Sequence, residues 1–388
     1  MPTAQKMLLG DVVRFGNGKS IKPGGVGQYL VFGSNGIIGG CDEFRHENGV
    51  IIGRVGAYCG AVVYCPSKFW ASDNTLVAYP ANGQFDTKFL FYLLSDAKLS
   101  RYAGGAAQPL VTQTVLKQVE VRVPPLPIQQ RIAGILSTYD ELIENSQRRI
   151  KILEAMARGL YREWFIHFRF PGHENHPRVA SALGEIPQGW EVRTLGELIQ
   201  FKSGFAFKSG TFTADGEHRL VTIKNVQDGS FNPESDSRMD ARPERLPPYC
   251  VLEDGDILLS LTGNVGRVCL VFDGPFLLNQ RVAKLLPVSA LDRALTYCMF
   301  RDPEMRTRLE LLSNGVAQQN LSPVLASQME FVCPPRHLLE QFSSFAEPIL
   351  NSVVGLHTKI QNLRRTRDLL MPRLLSGQIS VEPKEGIT

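Results

Sequence analysis

Residues 124–136 read PPLPIQQRIAGIL, and 210 positions further on residues 334–346 read PPRHLLEQFSSFA. In both places a double proline, which stops a strand and opens a new element, precedes a run whose seam positions recur with 4,3 alternation. After the first pair they are Ile128, Ile132, Ile135, Tyr139, Leu142, Ser146, Arg149, Leu153, Met156 and Leu160. After the second they are Leu339, Phe342, Ala346, Ile349, Val353, Leu356, Ile360, Leu363, Arg367, Leu370 and Leu374. A 3.5-residue repeat holds one narrow stripe towards a partner helix, so both runs are expected to be coiled-coil helices. Each stripe extends for about 50 Å at the rise of an α-helix, more than a domain of this size covers by itself. Ser146, Arg149 and Arg367 make the seam imperfect. Leu136, Ile143, Ile150, Ala157 and Trp164, seven residues apart, form a further stripe expected to face a second partner. Pro348, inside the second run, is expected either to kink that helix or to mark its true start.

The double prolines close two related halves. LGDV (9–12) matches LGEL (195–198), and Phe15, Gly18 and Lys22 stand where Phe201, Gly204 and Lys208 stand. GVIIGRVGAYCGAVVYC (49–65) parallels GDILLSLTGNVGRVCLVF (255–272), each an apolar strand, a Gly-rich turn and another apolar strand. The register then shifts, and GAAQ (105–108) falls on GVAQ (315–318). The expected fold class is α+β: two mixed, strand-rich domains separated by a pair of long antiparallel coiled-coil helices, with an internal pseudo-twofold repeat. The expected boundaries are a first globular domain at 1–125, a helical region at 126–169, a linker at 170–188, a second globular domain at 189–335, a second helical region at 336–379 and a tail at 380–388. A single chain with such symmetry suits two separated half-sites on DNA. Because the repeats differ in sequence, the half-sites should differ too.

Composition narrows the classes. A chain of 388 residues with 43% hydrophobic and 21% charged residues has room for several cores. Arg54 and Arg267 interrupt the two longest apolar stretches, so no membrane span is expected, and a cytoplasmic location is. The seven cysteines contain no Cys-x-x-Cys pair, which argues against zinc. His173 and His176 lack acidic or thiol partners at ligand spacing and read as loop residues. Net charge is only +4, and residues 178–335 carry 16 Lys and Arg against 19 Asp and Glu. A DNA-binding surface must therefore arise from where the basic residues lie, not from their total.

The chain resembles the specificity (S) subunit of Type I restriction-modification enzymes over essentially its whole length. The likeness is carried by YLVFGSNGIIGG (29–40), GRVGAYCG (53–60), PPLPIQQRIAGIL (124–136), LEAMARGLYREWFIHFRFPG (153–172), GWEVRTLGEL (189–198) and LLMPRLLSGQI (369–379). The resemblance implies two target recognition domains, each reading half of a split DNA sequence, and two helical regions that dock a pair of methyltransferase subunits, with restriction subunits joining through the complex. S-adenosylmethionine, ATP and Mg would then belong to the partners. Two departures from the family pattern are Gln129-Gln130, where Glu-Gln is usual, as in Glu340-Gln341, and Pro348 within the second helix. A DNA-free coiled-coil scaffold and a methylation-only system lacking the nuclease are the alternatives.

No catalytic constellation stands out. FGNGKS (15–20) ends like a phosphate-binding loop, but Val13 occupies the place of the glycine that a P-loop requires. LPPY (246–249) is the nearest match to an adenine-methyltransferase loop, and Leu246 offers the base amine no acceptor. Candidate DNA contacts are polar groups in Gly-rich turns. Lys19, Lys22, Lys202 and Lys208 suit phosphates, with a solvated loop lysine as the alternative. Ser34, Asn35, Gln108, Asn225, Asn279, Gln280, Gln318 and Gln319 suit base edges, or else cap backbone groups. Arg54, Arg267 and Arg281 flank Gly-rich turns or apolar strands, where a guanidinium is costly unless it meets an anion or a base. Tyr58 could stack or contact phosphate, or lie at the edge of a core.

Overall fold

The computed structural model describes residues 4–22, 24–105, 108–313 and 320–381. It divides into two compact units, one of Met1–Ile143 with Leu363–Thr388 and the other of Glu144–Asn362. Each unit contains a globular part and a portion of both long helices.

In the first unit the β-rich runs build a six-stranded sheet in the order Val13–Asn17, Thr75–Pro80, His46–Gly53, Val62–Ala71, Tyr29–Gly33, Gly36–Cys41. Only the Tyr29–Gly33 and Val62–Ala71 pair is parallel. Helix Thr87–Asp96 starts where Asp86 accepts from the Phe89 N–H at 2.8 Å, satisfying one of the orphan donors of the first turn. Phe89, Leu90, Leu93 and Leu94 from that helix fill the core with Val50, Ile52 and Leu76 from the sheet. The opening strand Gln5–Leu8 pairs antiparallel with Glu120–Val123, the strand that leads into the first double proline.

The second unit repeats this frame with matching register. Val13 pairs with Pro80 and Asn17 with Leu76 in the first unit; Ile199 pairs with Pro287 and Ser203 with Ala283 in the second. Leu9 N–H bonds Val119 O at 2.8 Å, and Leu195 N–H bonds Met329 O at 2.8 Å. The long strand Val62–Ala71 is split here into Val268–Leu270 and Phe276–Leu278, which serve two four-stranded sheets.

The long helices run over Leu126–Tyr161, continued by a π-helical turn at Arg162–Ile166, and over Arg336–Leu375. The second starts directly after Pro334-Pro335 and passes through Pro348 without a break, so that proline does not mark its start. In the first unit the two helix portions are antiparallel, with Arg131 bonded to Val381 O at 2.8 Å and Asp140 paired with Arg367. In the second unit Trp164 and Phe165, beyond the first helix, pack on Phe342 near the start of the second.

The seam of the second helix largely follows the 4,3 pattern: Leu339, Phe342, Ala346, Val353, Leu356, Ile360 and Leu374 are buried, Ile349, Leu363, Arg367 and Leu370 are half-buried, and Leu350 is buried in place of Ile349. The first seam differs. Leu136, Ile143, Ile150, Ala157 and Trp164 are buried, whereas Ile135, Leu142 and Met156 are exposed and Arg149 faces solvent. The stripe expected to face a second partner is thus half of the helix's own buried seam, together with Ile132 and Ser146. Gln129 opens this seam at 1% exposure. Its amide donates to Gln84 O at 3.1 Å and Pro124 O at 2.8 Å and accepts from Asp86 N–H at 2.9 Å.

Candidate DNA interface

In the first unit several loops converge on one turn, 72–75. Gly18 N–H donates to Thr75 O at 3.1 Å and Lys19 N–H to Ala71 O at 2.9 Å. Asn74 O accepts from both Ser34 Oγ at 2.6 Å and Arg54 N–H at 2.9 Å. Ser72 N–H reaches Phe32 O at 2.9 Å, and Thr75 N–H closes the turn on Ser72 O at 3.0 Å. Backbones approach so closely that a Cβ on Gly18 would drive into the Ser72 carbonyl. Arg54 O accepts from Val111 N–H at 3.0 Å and Gly56 N–H donates to Pro109 O at 3.1 Å, which brings the segment after Gln108 to the same edge of the sheet.

Six of the sequence candidates, Lys19, Ser34, Asn35, Arg54, Tyr58 and Gln108, therefore sit on loops tied to one another through this turn and its neighbours. Lys19, Lys22, Asn35 and Gln108 are exposed, and Tyr58 is 59% exposed. Ser34 spends its hydroxyl on the loops, donating to Asn74 O and accepting from Val55 N–H at 3.3 Å. Arg54 is half-buried, and its Nε is buried with no hydrogen-bond partner among the described residues. That orphaned donor is costly to keep unless an acceptor arrives from outside the chain.

The same bonds recur in the second unit. Gly204 N–H donates to Val282 O at 3.0 Å, Leu261 N–H to Arg281 O at 3.1 Å, Asn279 N–H to Val221 O at 3.1 Å and Val282 N–H to Asn279 O at 3.0 Å. Leu321 N–H reaches Leu261 O at 2.8 Å, as Val111 N–H reaches Arg54 O. Turn 279–282 is therefore the counterpart of turn 72–75, Gly204 of Gly18 and Leu261 of Arg54. A Cβ on Gly204 would likewise drive into the Asn279 backbone.

This correspondence separates residues that look alike in sequence. Arg54 follows the strand His46–Gly53, whereas Arg267 precedes the strand Val268–Leu270, so the two arginines are not equivalent. Arg267 donates through Nη1 to Gln227 Oε1 at 2.5 Å. Asn225 is 2% exposed, and its amide is fully occupied: Oδ1 accepts from Thr222 N–H and Oγ1, and Nδ2 donates to Asn232 O and Glu234 O. It braces its own loop and has no free group for a base edge. Asn279 is buried too and accepts from Arg281 N–H at 3.3 Å, while Gln280 and Arg281 are exposed. Lys202 is half-buried with its ammonium 5.8 Å from the centre of the Tyr249 ring, and Lys208 is exposed. Gln318 and Gln319 lie outside the described residues.

Asn225, Asn279, Gln280 and Arg281 share one cleft of about 470 Å³ with Lys224, Glu234 and Asp236. The cleft mixes cations with carboxylates, so it offers both donors and acceptors to a ligand edge. Sequence reasoning missed turn 72–75 itself. Its visible signal is the strand that follows each turn: TLVAYP (75–80) and VAKLLP (282–287) both end in proline. His173 and His176 bond backbone carbonyls, and no group of three or more His, Cys, Asp or Glu among the described residues is arranged for a metal ion. No described helix is long and apolar enough to cross a membrane.

The family model of the Type I restriction modification DNA specificity domain matches residues 2–155 and again residues 187–324. The chain belongs to that family. It is 26% identical over 313 residues to the Type I restriction enzyme MjaIX specificity subunit of Methanocaldococcus jannaschii, covering 76% of this chain and 70% of that one. To the MjaVIII specificity subunit of the same organism it is 27% identical over 350 residues, covering 87% and 80%. Its fold matches the crystal structure of the S subunit of a Type I restriction-modification system from M. genitalium with a TM-score of 0.63 at 19% identity, covering 96% of both chains. Both family matches contain one of the two equivalent turns, 72–75 and 279–282.

Proposed function

We propose that this chain is the sequence-specific DNA-binding specificity subunit of a Type I restriction-modification complex, each globular part reading one half of a bipartite, asymmetric site. The observation that carries this reading is the recurrence of one hydrogen-bonded turn in two family domains, with different exposed side chains in each. The target recognition domains are residues 1–125 and 189–335, and the helical regions 126–169 and 336–379 hold two methyltransferase subunits. Restriction subunits join through that complex, in the cytoplasm. The chain itself is non-catalytic, with S-adenosylmethionine, ATP and Mg bound by its partners.

A domain exchange tests the reading. Residues 189–333 are replaced by the corresponding part of a relative, the chimera is produced with the methyltransferase subunits, and methylated positions are mapped by sequencing. One half-site should change while the other is retained. A change in both half-sites would overturn the modular reading.

A further inference from the structure

We propose that specificity in each half is set by the two middle positions of the recurring turn: Asp73 and Asn74 in the first unit, Gln280 and Arg281 in the second. The inference rests on the DNA-reading function above and assigns chemistry within it. In both units the backbone of the turn is committed to the frame. Gly18, Phe32 and Arg54 bond turn 72–75, and Gly204, Val221 and Leu261 bond turn 279–282, all through main-chain groups. The side chains at the first position of each turn, Ser72 and Asn279, are buried.

The middle pair is the opposite. Asp73, Asn74, Gln280 and Arg281 are all exposed, and among the described residues none of their side chains has a hydrogen-bond or ion-pair partner. A rigid backbone that presents unpaired polar side chains loses little conformational freedom when a ligand arrives. It also aims those side chains the same way in both units while leaving their identity free. Charge and donor pattern then differ between the halves. Asp73 offers only acceptors, which suit the exocyclic amine of cytosine or adenine, and the Asn74 amide fits adenine. Gln280 likewise fits adenine, whereas the Arg281 fork fits the two acceptors of guanine. The first half-site thus carries an amine-presenting base opposite its turn, and the second carries a guanine.

The test is selection from DNA randomised over both half-sites by the full chain purified with its methyltransferase subunits. The wild-type complex should enrich a two-part sequence with a guanine in one half. Arg281→Ala should lower discrimination for that guanine by about 10- to 100-fold and leave the other half unchanged. Asn74→Ala should relax one or two positions in the first half only. Asp73→Gln combined with Asn74→Arg should rewrite positions in that half. If both alanine variants enrich the wild-type sequence unaltered, the turn does not read bases and the proposal falls, whatever the double variant does. If the wild-type complex enriches no sequence at all, the failure is that of the DNA-reading function and the proposal falls with it.

Discussion

Asp140 of the first long helix meets Arg367 of the second across 2.5 Å, and the Tyr92 hydroxyl of the globular part donates to the other Asp140 oxygen at 2.5 Å. Burial first, and then the Asp140 carboxylate, push the Tyr92 phenol far above its usual range, so it stays a donor at any working pH. Arg367 occupies a seam position where an apolar residue is the norm. The carboxylate of Asp140 explains how the position tolerates it. One side chain thereby joins two helices to the sheet domain of its unit.

A double-mutant cycle with Asp140→Asn and Arg367→Met is expected to give a coupling of about 1 to 2 kcal/mol, since both side chains are about two-thirds shielded from water. Urea denaturation of the four proteins measures it. A coupling below a few tenths would mean that the pair contributes geometry and not stability.

Gln129 is the second expectation. A glutamate there would aim a carboxylate at the Gln84 and Pro124 carbonyls, which now accept from the amide, in a site that is 1% exposed. Gln129→Glu should therefore destabilise the first unit by about 2 to 4 kcal/mol near neutral pH, with partial recovery as the acid protonates. Thermal melts at pH 7.5 and pH 5 would show both effects, and equal stability to the parent at both would refute them.

The phase of the first helix makes a third. Ile150→Ala should cost about 2 to 4 kcal/mol, because the side chain is 6% exposed in the seam, whereas Met156→Ala, at 56% exposure, should change stability by under about 0.5 kcal/mol. Reversal of that order in denaturation midpoints would restore the seam drawn through Arg149 and Met156.

His46 gives the fourth. It stacks on Phe69 and bonds the Tyr79 hydroxyl at 2.9 Å, and burial, followed by the nearby Arg45, holds its imidazole below the ordinary histidine range. The folded state then binds fewer protons than the unfolded one between the lowered value and about 6.5. Stability conferred by neutral His46 is complete above that range and is lost as pH falls through it. The melting temperature should drop on acidification below pH 6.5, and His46→Gln should flatten that slope. An unchanged slope in the variant would assign the loss to other groups.

Much of this architecture is readable from residue order, and the exceptions have physical causes. The second seam is legible because Phe342, Leu356, Ile360 and Leu363 have no apolar neighbour on either side and fix its phase. In the first helix, Ile135 and Leu136, Leu142 and Ile143, and Met156 and Ala157 are adjacent apolar pairs, so two phases fit nearly as well. Arg149 beside Ile150 and Glu163 beside Trp164 favour the phase found in the structure, whereas Ile128 beside the buried Gln129 points to the other. The repeat shows itself through Gly18 and Gly204, which have no alternative where backbones touch. Turn 72–75 stays hidden because its role is played by N–H and C=O groups that every residue carries. Asn225 misleads for a related reason: an amide drawn as a base reader and an amide that braces a loop are the same letter.

Gly18 and Gly204 also constrain how such a protein can vary. In a large library of variants sorted only for folding, those two columns should stay glycine while positions 73, 74, 280 and 281 drift through most of the polar alphabet, since no main-chain bond depends on what they carry. New sequence preferences then lie one codon apart and need no compensating change elsewhere in the fold. A lineage pressed to alter what it recognises has a short, stable path along which to do so.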